Sequence, residues 1–230
     1  MSIGYFVILG IFSIIGMLVS NQLKARFNKY SKIRLSNNLS GAEISKAMLS
    51  HYGIHDVNIV MGQGFLTDHY NPMTKTVSLS PEVFQGRSIA AAAVAAHECG
   101  HAVQHATAYN MLTLRSQLVP VVQFSSKIQQ FLFMAVIFGM GAGMGGNTLL
   151  LILVATFGIT ALFSLVTLPV EFDASRRALA WLDNSGMTSG KEYDGAKDAL
   201  WWAAMTYVSQ ALASLVVFLY FLLKFMGSRQ

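Results

Sequence analysis

The sequence predicts a mainly α-helical integral membrane protein with about four transmembrane helices and a small cytoplasmic α+β segment. The 230-residue chain is 53% hydrophobic and only 12% charged, and soluble domains carry about twice that charge. Long apolar stretches recur at about 3–19, 118–142, 148–168 and 206–225. A more polar stretch at about 35–117 separates the first two, and it contains an alanine-rich helix with an HExxH motif.

Charge and cysteine content narrow the class of protein further. Cys99 is the single cysteine, so the chain forms no internal disulfide. The formal net charge is +5, and basic residues cluster beside apolar segments, which is typical of contact with anionic lipid headgroups. No basic patch is interleaved with aromatic residues, so we expect no nucleic-acid partner. Residues 1–230 are expected to form a single domain embedded in a lipid bilayer.

The first apolar stretch is predicted to be a retained span. It lacks a basic region before it and a small-residue cleavage site after it, which argues against a signal peptide. Positive charge favours the cytoplasmic side of a membrane, so the N-terminus is predicted to lie outside. The basic residues that follow the span are Lys24, Arg26, Lys29, Lys32 and Arg34.

A small folded segment is predicted after this span. Ser40 and Glu43 form a capping-box pattern, in which each side chain satisfies a backbone N–H at a helix start. The helix is predicted to run to about Tyr52, where Gly53 would end it. Pro81 suits the first position of another helix.

Two short strands are predicted at 57–61 and 75–79, because both stretches are rich in β-branched residues and are bounded by turn formers. The alanine-rich helix that contains the HExxH motif is predicted to follow from about Ser88 to Thr107. The turn formers between the strands are Gly62, Gly64, Asn71 and Pro72.

The membrane segments set the expected topology. Pro169 is predicted to end the third span, and a separate helix is predicted from Glu171 to about Leu182. The charge-free turn at 143–147 is predicted to lie outside, which places residues 97–101 and Glu171 on the cytoplasmic side. Polar residues in the second span are expected at the cytoplasmic interface or turned towards the protein. They are Gln123, Lys127, Gln129 and Gln130.

The HExxH motif predicts a zinc site. His97 and His101 are four residues apart, so on a helix they lie about 40° from each other and point the same way. Two imidazoles on one face can occupy two corners of a tetrahedral zinc site. Glu98 is rotated about 100° from His97, where it can act as general base on a metal-activated water without binding the metal. Cys99 points away from this face and is interpreted as a packing residue.

A catalytic zinc site needs one more protein ligand. Glu171 is the favoured candidate, because a membrane hairpin would return it to the surface from which the His97 helix enters the second span. The alternative is that Glu171 pairs with Arg176 or Arg177 at the interface. His105 continues the histidine face, but one further helical turn is too far for the same ion.

His69 lies between the two predicted strands and has two interpretations. It could stabilise the oxyanion of a tetrahedral intermediate, or it could be a loop histidine that holds a turn.

Three runs of the sequence carry a resemblance to a known family. Residues 87–105, 168–175 and 67–72 resemble the YugP-type neutral zinc metallopeptidases, and the resemblance covers nearly the whole chain. More distantly, the chain is similar to the HtpX membrane proteases, which share an HExxH motif, an inserted membrane hairpin and a glutamate ligand.

The resemblance implies that His97, His101 and Glu171 hold Zn²⁺, with Glu98 as the catalytic base. Ser175 departs from the HtpX pattern, which has at this place an aspartate that orients a ligand histidine.

Asp173 or Asp68 could take over that orienting role. For Asp173, an i,i+4 surface pair with Arg177 is at least as well supported.

We therefore expect a zinc-dependent membrane endopeptidase with its site at the cytoplasmic surface. Metal-activated water would attack a peptide carbonyl, and Glu98 would pass the proton to the leaving amine. The strand at 75–79 is expected to bind extended substrate along a free edge. The expected partners are the bilayer, a membrane-protein or peptide substrate and a regulatory membrane partner. The alternatives are a non-enzymatic zinc-binding membrane scaffold and a metal transporter.

Overall fold

The computed structural model describes residues 3–137 and 146–228 and is mainly helical. The described elements, in chain order, are α1 (Ile3–Tyr30), α2 (Gly41–His51), β1 (Asn58–Met61), β2 (His69–Asn71), β3 (Thr76–Leu79), α3 (Pro81–Phe84), α4 (Ile89–Ala106), α5 (Asn110–Ile137), α6 (Gly146–Asn184) and α7 (Lys191–Gly227).

The chain divides into two compact units, and four long helices contribute residues to both. The first unit comprises Met1–Met17, Thr113–Leu168 and Tyr207–Gln230. The second comprises Leu18–Leu112 and Pro169–Thr206. The first unit has its own small apolar core, in which the ring of Phe157 stacks on Phe221 with ring centroids 5.0 Å apart.

Three helices in the described ranges are long and apolar enough to cross a membrane, namely α1, α6 and α7. They contain the predicted spans at 3–19, 148–168 and 206–225. The fourth predicted span, 118–142, coincides with α5 as far as Ile137, and residues 138–142 lie outside the described residues. In the most apolar window of α1 only 6% of the residues are buried, which suits a helix surrounded by lipid.

Pro169 does not end a helix, contrary to the prediction. The helix α6 runs through it from Gly146 to Asn184, so the predicted span and the predicted helix after it are one element. A proline removes a single backbone hydrogen bond, and long apolar helices tolerate this loss when packing holds both flanks. Val170 directly after the proline is fully buried and supplies such packing.

The start of α2 in the second unit confirms the predicted capping box. The side chain of Ser40 accepts the backbone N–H of Glu43, and the carboxylate of Glu43 accepts the backbone N–H of Ser40 at 2.7 Å. The helix α2 ends at His51, and Gly53 has the left-handed φ of +66° that the prediction requires.

The three-stranded sheet of the second unit has the order β1-β3-β2. The strands β1 and β3 match the predicted strands and pair in parallel. The strand β2 was not predicted, since Asn71 and Pro72 indicated a turn, and it pairs antiparallel to β3. Val77 of β3 pairs with Ile59 on one side and Tyr70 on the other, so the expectation of a free edge at 75–79 is wrong.

The helix α4 is the centre of the second unit. Ser88 caps its first turn by accepting the backbone N–H of Ala91 at 3.2 Å. Nearly all of its alanines are buried, because small side chains let α4 lie close to several neighbouring elements at once. The predicted helix at 88–107 is thus observed at Ile89–Ala106.

Candidate metal centre

Two helices of the second unit bring three potential ligands together. His97 and His101 lie on α4, and Glu171 lies on α6. The Oε2 atom of Glu171 is 3.3 Å from Nε2 of His97 and 3.5 Å from Nε2 of His101. Among the described residues, these side chains form a group whose ligand atoms all lie within 4.8 Å of one another. This group could hold a metal ion.

A glycine permits the close approach of the two helices. Gly100 lies between the two histidines, and a Cβ built on it would lie 2.6 Å from the carbonyl oxygen of Ala174. Only glycine lets the α4 backbone lie this close to α6. Glu171 lies about one helical turn before Ala174 on α6. The contact between Gly100 and Ala174 therefore brings the Glu171 carboxylate close to the two imidazoles of α4.

The donor set fits zinc. Zinc binds imidazole nitrogen and carboxylate oxygen, and a catalytic zinc site has three protein ligands with one position left for water. The side chains of His97, His101 and Glu171 are 12%, 9% and 2% exposed. This burial excludes most competing water, and the slight exposure of His97 leaves an approach for a small molecule.

Each histidine of the group has a hydrogen-bond partner at its Nδ1 atom. Nδ1 of His97 lies 3.1 Å from the hydroxyl of Ser175, and Nδ1 of His101 lies 3.0 Å from Oε1 of Gln104. Contacts of this kind orient metal-binding imidazoles. Ser175, where the resemblance to the HtpX proteases implies an aspartate, therefore contacts His97 directly. Gln104 was missed, although its position three residues after His101 on the same helix was a usable signal.

Asp173 is linked to His101 through the side chain of Gln104. Its Oδ2 atom accepts a hydrogen bond from Nε2 of Gln104 at 2.9 Å and one from Nε of Arg177 at 2.6 Å. Arg176 also pairs with it. The predicted pair with Arg177 is thus observed, and a link to His101 exists through Gln104. Glu171 faces the imidazoles, whereas these two arginines pair with Asp173.

Glu98 is buried beside the ligands. Burial raises the pKa of its carboxyl, and the charge of Glu171 adds to this effect, whereas His97 and His101 act to lower the pKa. A carboxylate with a raised pKa accepts a proton more readily near neutral pH, which is the property a general base needs.

Asp68 contacts Ser80, the residue before α3, and its hydrogen bonds are to that residue rather than to a histidine of the group. Its carboxylate accepts the backbone N–H of Ser80 at 2.7 Å and the Ser80 hydroxyl at 3.2 Å. Burial raises the pKa of this carboxyl. Asp68 thereby holds the loop before β2 against the start of α3.

The remaining histidine candidates lie at the surface of this unit. His69 begins β2, and its Nδ1 lies 2.8 Å from the carbonyl oxygen of Thr67, as expected of a histidine that holds a turn. Nδ1 of His105 lies 2.8 Å from the hydroxyl of Tyr70. His105 therefore contacts β2 and is not a member of the ligand group.

Cys99 is buried, as predicted for a packing residue.

The chain is thus a mainly helical protein with three membrane-length helices among its described residues, and it carries a group of two histidines and one glutamate that could hold a metal ion. The chain belongs to the family described as "Putative neutral zinc metallopeptidase", whose profile matches residues 5–226. It is 40% identical over 208 residues to "Putative membrane protease YugP" of Bacillus subtilis (strain 168), covering 90% of each chain. No solved structure matches the chain. The family and the donor set both indicate zinc as the cofactor.

Proposed function

We propose that this protein is a zinc-dependent membrane endopeptidase. The observation that carries the proposal is the convergence of two imidazole Nε2 atoms and one buried carboxylate oxygen within 4.8 Å, beside a second buried carboxyl group. A purely structural zinc site would require a fourth protein ligand. Among the described residues the group contains three, which is the number in a catalytic site.

The chain's own residues supply the acid–base chemistry. His97, His101 and Glu171 would hold a zinc ion, which would supply Lewis-acid activation of a water and of the substrate carbonyl. Glu98 accepts the proton of the attacking water, and its raised pKa suits this role. The same carboxyl then donates that proton to the amine that leaves when the peptide bond breaks. His97 and His101 are held in orientation by Ser175 and Gln104.

The substrate is proposed to bind as an extended segment on β2 rather than on β3. The strand β2 pairs with β3 along one edge, and within the described residues no strand pairs with its other edge. The strand contacts α4, and the hydroxyl of Tyr70 reaches His105 one turn beyond the ligand His101. Main-chain pairing on that edge would align a peptide with the helix that carries the metal ligands. The oxyanion role of His69 stays a prediction.

We propose that the chain is a multi-pass protein of the cell membrane and that its metal centre lies on the cytoplasmic side. Basic residues between positions 24 and 34, together with Arg176 and Arg177, support this orientation through the positive-inside rule. The stretch at 118–142 is proposed as a fourth span. Substrates would then be membrane proteins or peptide segments near the cytoplasmic interface, and a membrane partner could regulate access.

Glu98→Gln tests the proposal in the full-length protein reconstituted in proteoliposomes. We expect the wild type to hydrolyse members of a membrane-protein panel in a chelator-sensitive manner, and the variant to retain zinc but lose hydrolysis. Glu82→Gln is the matched control, since it removes the same charge from an exposed residue of α3. Zinc-loaded wild type without any hydrolysis would indicate a scaffold, and zinc flux across the vesicle membrane would indicate a transporter.

A further inference from the structure

We propose that Gln104 is a positioning residue that fixes His101 in the Nδ1–H tautomer and so presents the Nε2 lone pair to the metal. The inference concerns the metal role assigned to His101 and therefore rests on the proposed function. It goes beyond ligand identity, because it assigns the state of one ligand to a neutral side chain that is not itself a ligand.

The orientation of the Gln104 amide is determined by its surroundings. Its Nε2 atom donates to the carbonyl oxygen of Val170 at 2.8 Å and to Oδ2 of Asp173 at 2.9 Å. The carbonyl oxygen of Val170 can only accept a hydrogen bond, and the same is true of the ionised carboxylate of Asp173. If the amide of Gln104 were flipped, its Oε1 would face these two acceptors with no hydrogen between them. The side chain of Gln104 is fully buried, and water cannot compensate for such a loss.

The orientation of the amide fixes the proton on the imidazole. With Nε2 of Gln104 used for donation, its Oε1 is the atom that lies 3.0 Å from Nδ1 of His101. A carbonyl oxygen only accepts, so Nδ1 of His101 must carry the hydrogen. In the neutral ring Nε2 then carries a lone pair. That lone pair lies 3.5 Å from Oε2 of Glu171, and a cation bound between the two atoms makes this contact favourable.

The two ligand histidines differ in this respect. Ser175 offers His97 a hydroxyl, which can rotate to donate or to accept and therefore fixes no tautomer. Gln104 offers His101 only an acceptor. Asp173 supports Gln104 from α6 and is itself paired with Arg176 and Arg177, so the carboxylate keeps its place without contacting the imidazole. The state of His101 is thus set by a neutral amide whose orientation depends on Asp173.

Gln104→Met is the decisive variant, because methionine has a similar length and volume but cannot accept from Nδ1. The readouts are the zinc dissociation constant by chelator competition and the ¹⁵N NMR signals of the imidazoles in the metal-free, full-length protein in nanodiscs, at a pH where the rings are neutral. In the wild type we expect the Nδ1–H tautomer at His101. In Gln104→Met we expect a shift to the Nε2–H tautomer, which donates to Glu171, and a loss of zinc affinity of about 10- to 100-fold.

Controls separate this role from general packing. The signals of His69 and His105 in the same spectra should stay unchanged. Asp173→Asn keeps an acceptor oxygen for Gln104, so it should retain the wild-type tautomer of His101 and lose less zinc affinity than Gln104→Met. An unchanged tautomer and an unchanged zinc affinity in a folded Gln104→Met protein would overturn the proposal.

The Gln104 proposal and the proposed peptidase function can fail independently of each other in these experiments. If the wild type binds zinc but hydrolyses nothing, the peptidase assignment fails, and the role of Gln104 is still decided by the tautomer and the affinity. If the wild type binds no zinc, the metal role is lost, and a wild-type His101 found in the Nε2–H tautomer in the metal-free protein would also overturn the positioning role.

Discussion

The hydroxyl oxygen of Ser175 lies 3.1 Å from Nδ1 of His97, on the side of the ring away from Glu171. The resemblance to the HtpX proteases implies an aspartate at this position, and this chain has serine. A neutral hydroxyl can orient the ring through this hydrogen bond without adding negative charge beside the metal group. The contact also shows that one turn of α6 carries both a candidate ligand and the partner of another.

Ser175→Ala should lower the zinc affinity by about tenfold, because His97 loses the hydrogen bond that orients it. The measurement is a zinc dissociation constant for the full-length protein by chelator competition. Ser164→Ala on the same helix is the matched control, since the hydroxyl of Ser164 donates to the carbonyl oxygen of Thr160 within its own helix. Equal affinities for the two variants would show that the Ser175 contact does not support the ligand.

Gly100→Ala should destabilise the protein by about 1–3 kcal/mol, because an added Cβ would overlap the backbone of Ala174. Since the same contact sets the position of Glu171, zinc affinity should fall as well. Thermal unfolding in detergent and zinc stoichiometry are the measurements. The control is Gly16→Ala in α1, where an added Cβ meets no heavy atom within 4 Å. Wild-type stability and zinc content in Gly100→Ala would contradict the observed packing.

Zinc binding should weaken as the pH falls. Burial acts to lower the pKa of His101, but the hydrogen bond and the charge of Glu171 outweigh it, so the pKa is raised above its usual value. Below that raised pKa a proton occupies the ring and must leave before the metal binds. The affinity should therefore be constant above the raised pKa and fall about tenfold per pH unit below it. A dissociation constant that is flat from about pH 8 to 5 would refute this coupling.

Cys99 should resist alkylation in the folded protein. Burial raises the pKa of its thiol to about 12, so almost no thiolate forms at neutral pH, and the side chain is buried against α2 near the Ser45 carbonyl. Mass spectrometry after treatment with a maleimide should show labelling only when denaturant is present. Rapid labelling of native, zinc-loaded protein would mean that α4 leaves its packed position.

Pairing on the open edge of β2 should make cleavage sensitive to the substrate backbone. For a peptide that the wild type hydrolyses, N-methylation of alternate amides should remove the main-chain donors that face β2 and strongly reduce cleavage. Methylation of the intervening amides, which point away, is the matched control and should have a much smaller effect. Equal sensitivity at both sets of positions would exclude strand addition as the binding mode.

The sequence by itself determined the composition-based membrane class, the helix that carries His97, Glu98 and His101, and the candidacy of Glu171. These features depend on local properties, namely apolar length, helical periodicity and capping residues, which a short window of sequence contains. The capping box at Ser40 belongs to the same group, and the observed hydrogen bonds confirm it.

Only the tertiary structure decided which residues meet. It placed β2 beside β3 and so removed the free edge expected there, and it carried α6 through Pro169. It also chose Ser175 and Gln104 as the partners of the ligand histidines. These outcomes depend on contacts between segments far apart in the chain, such as the approach of Gly100 to Ala174, which no local pattern encodes.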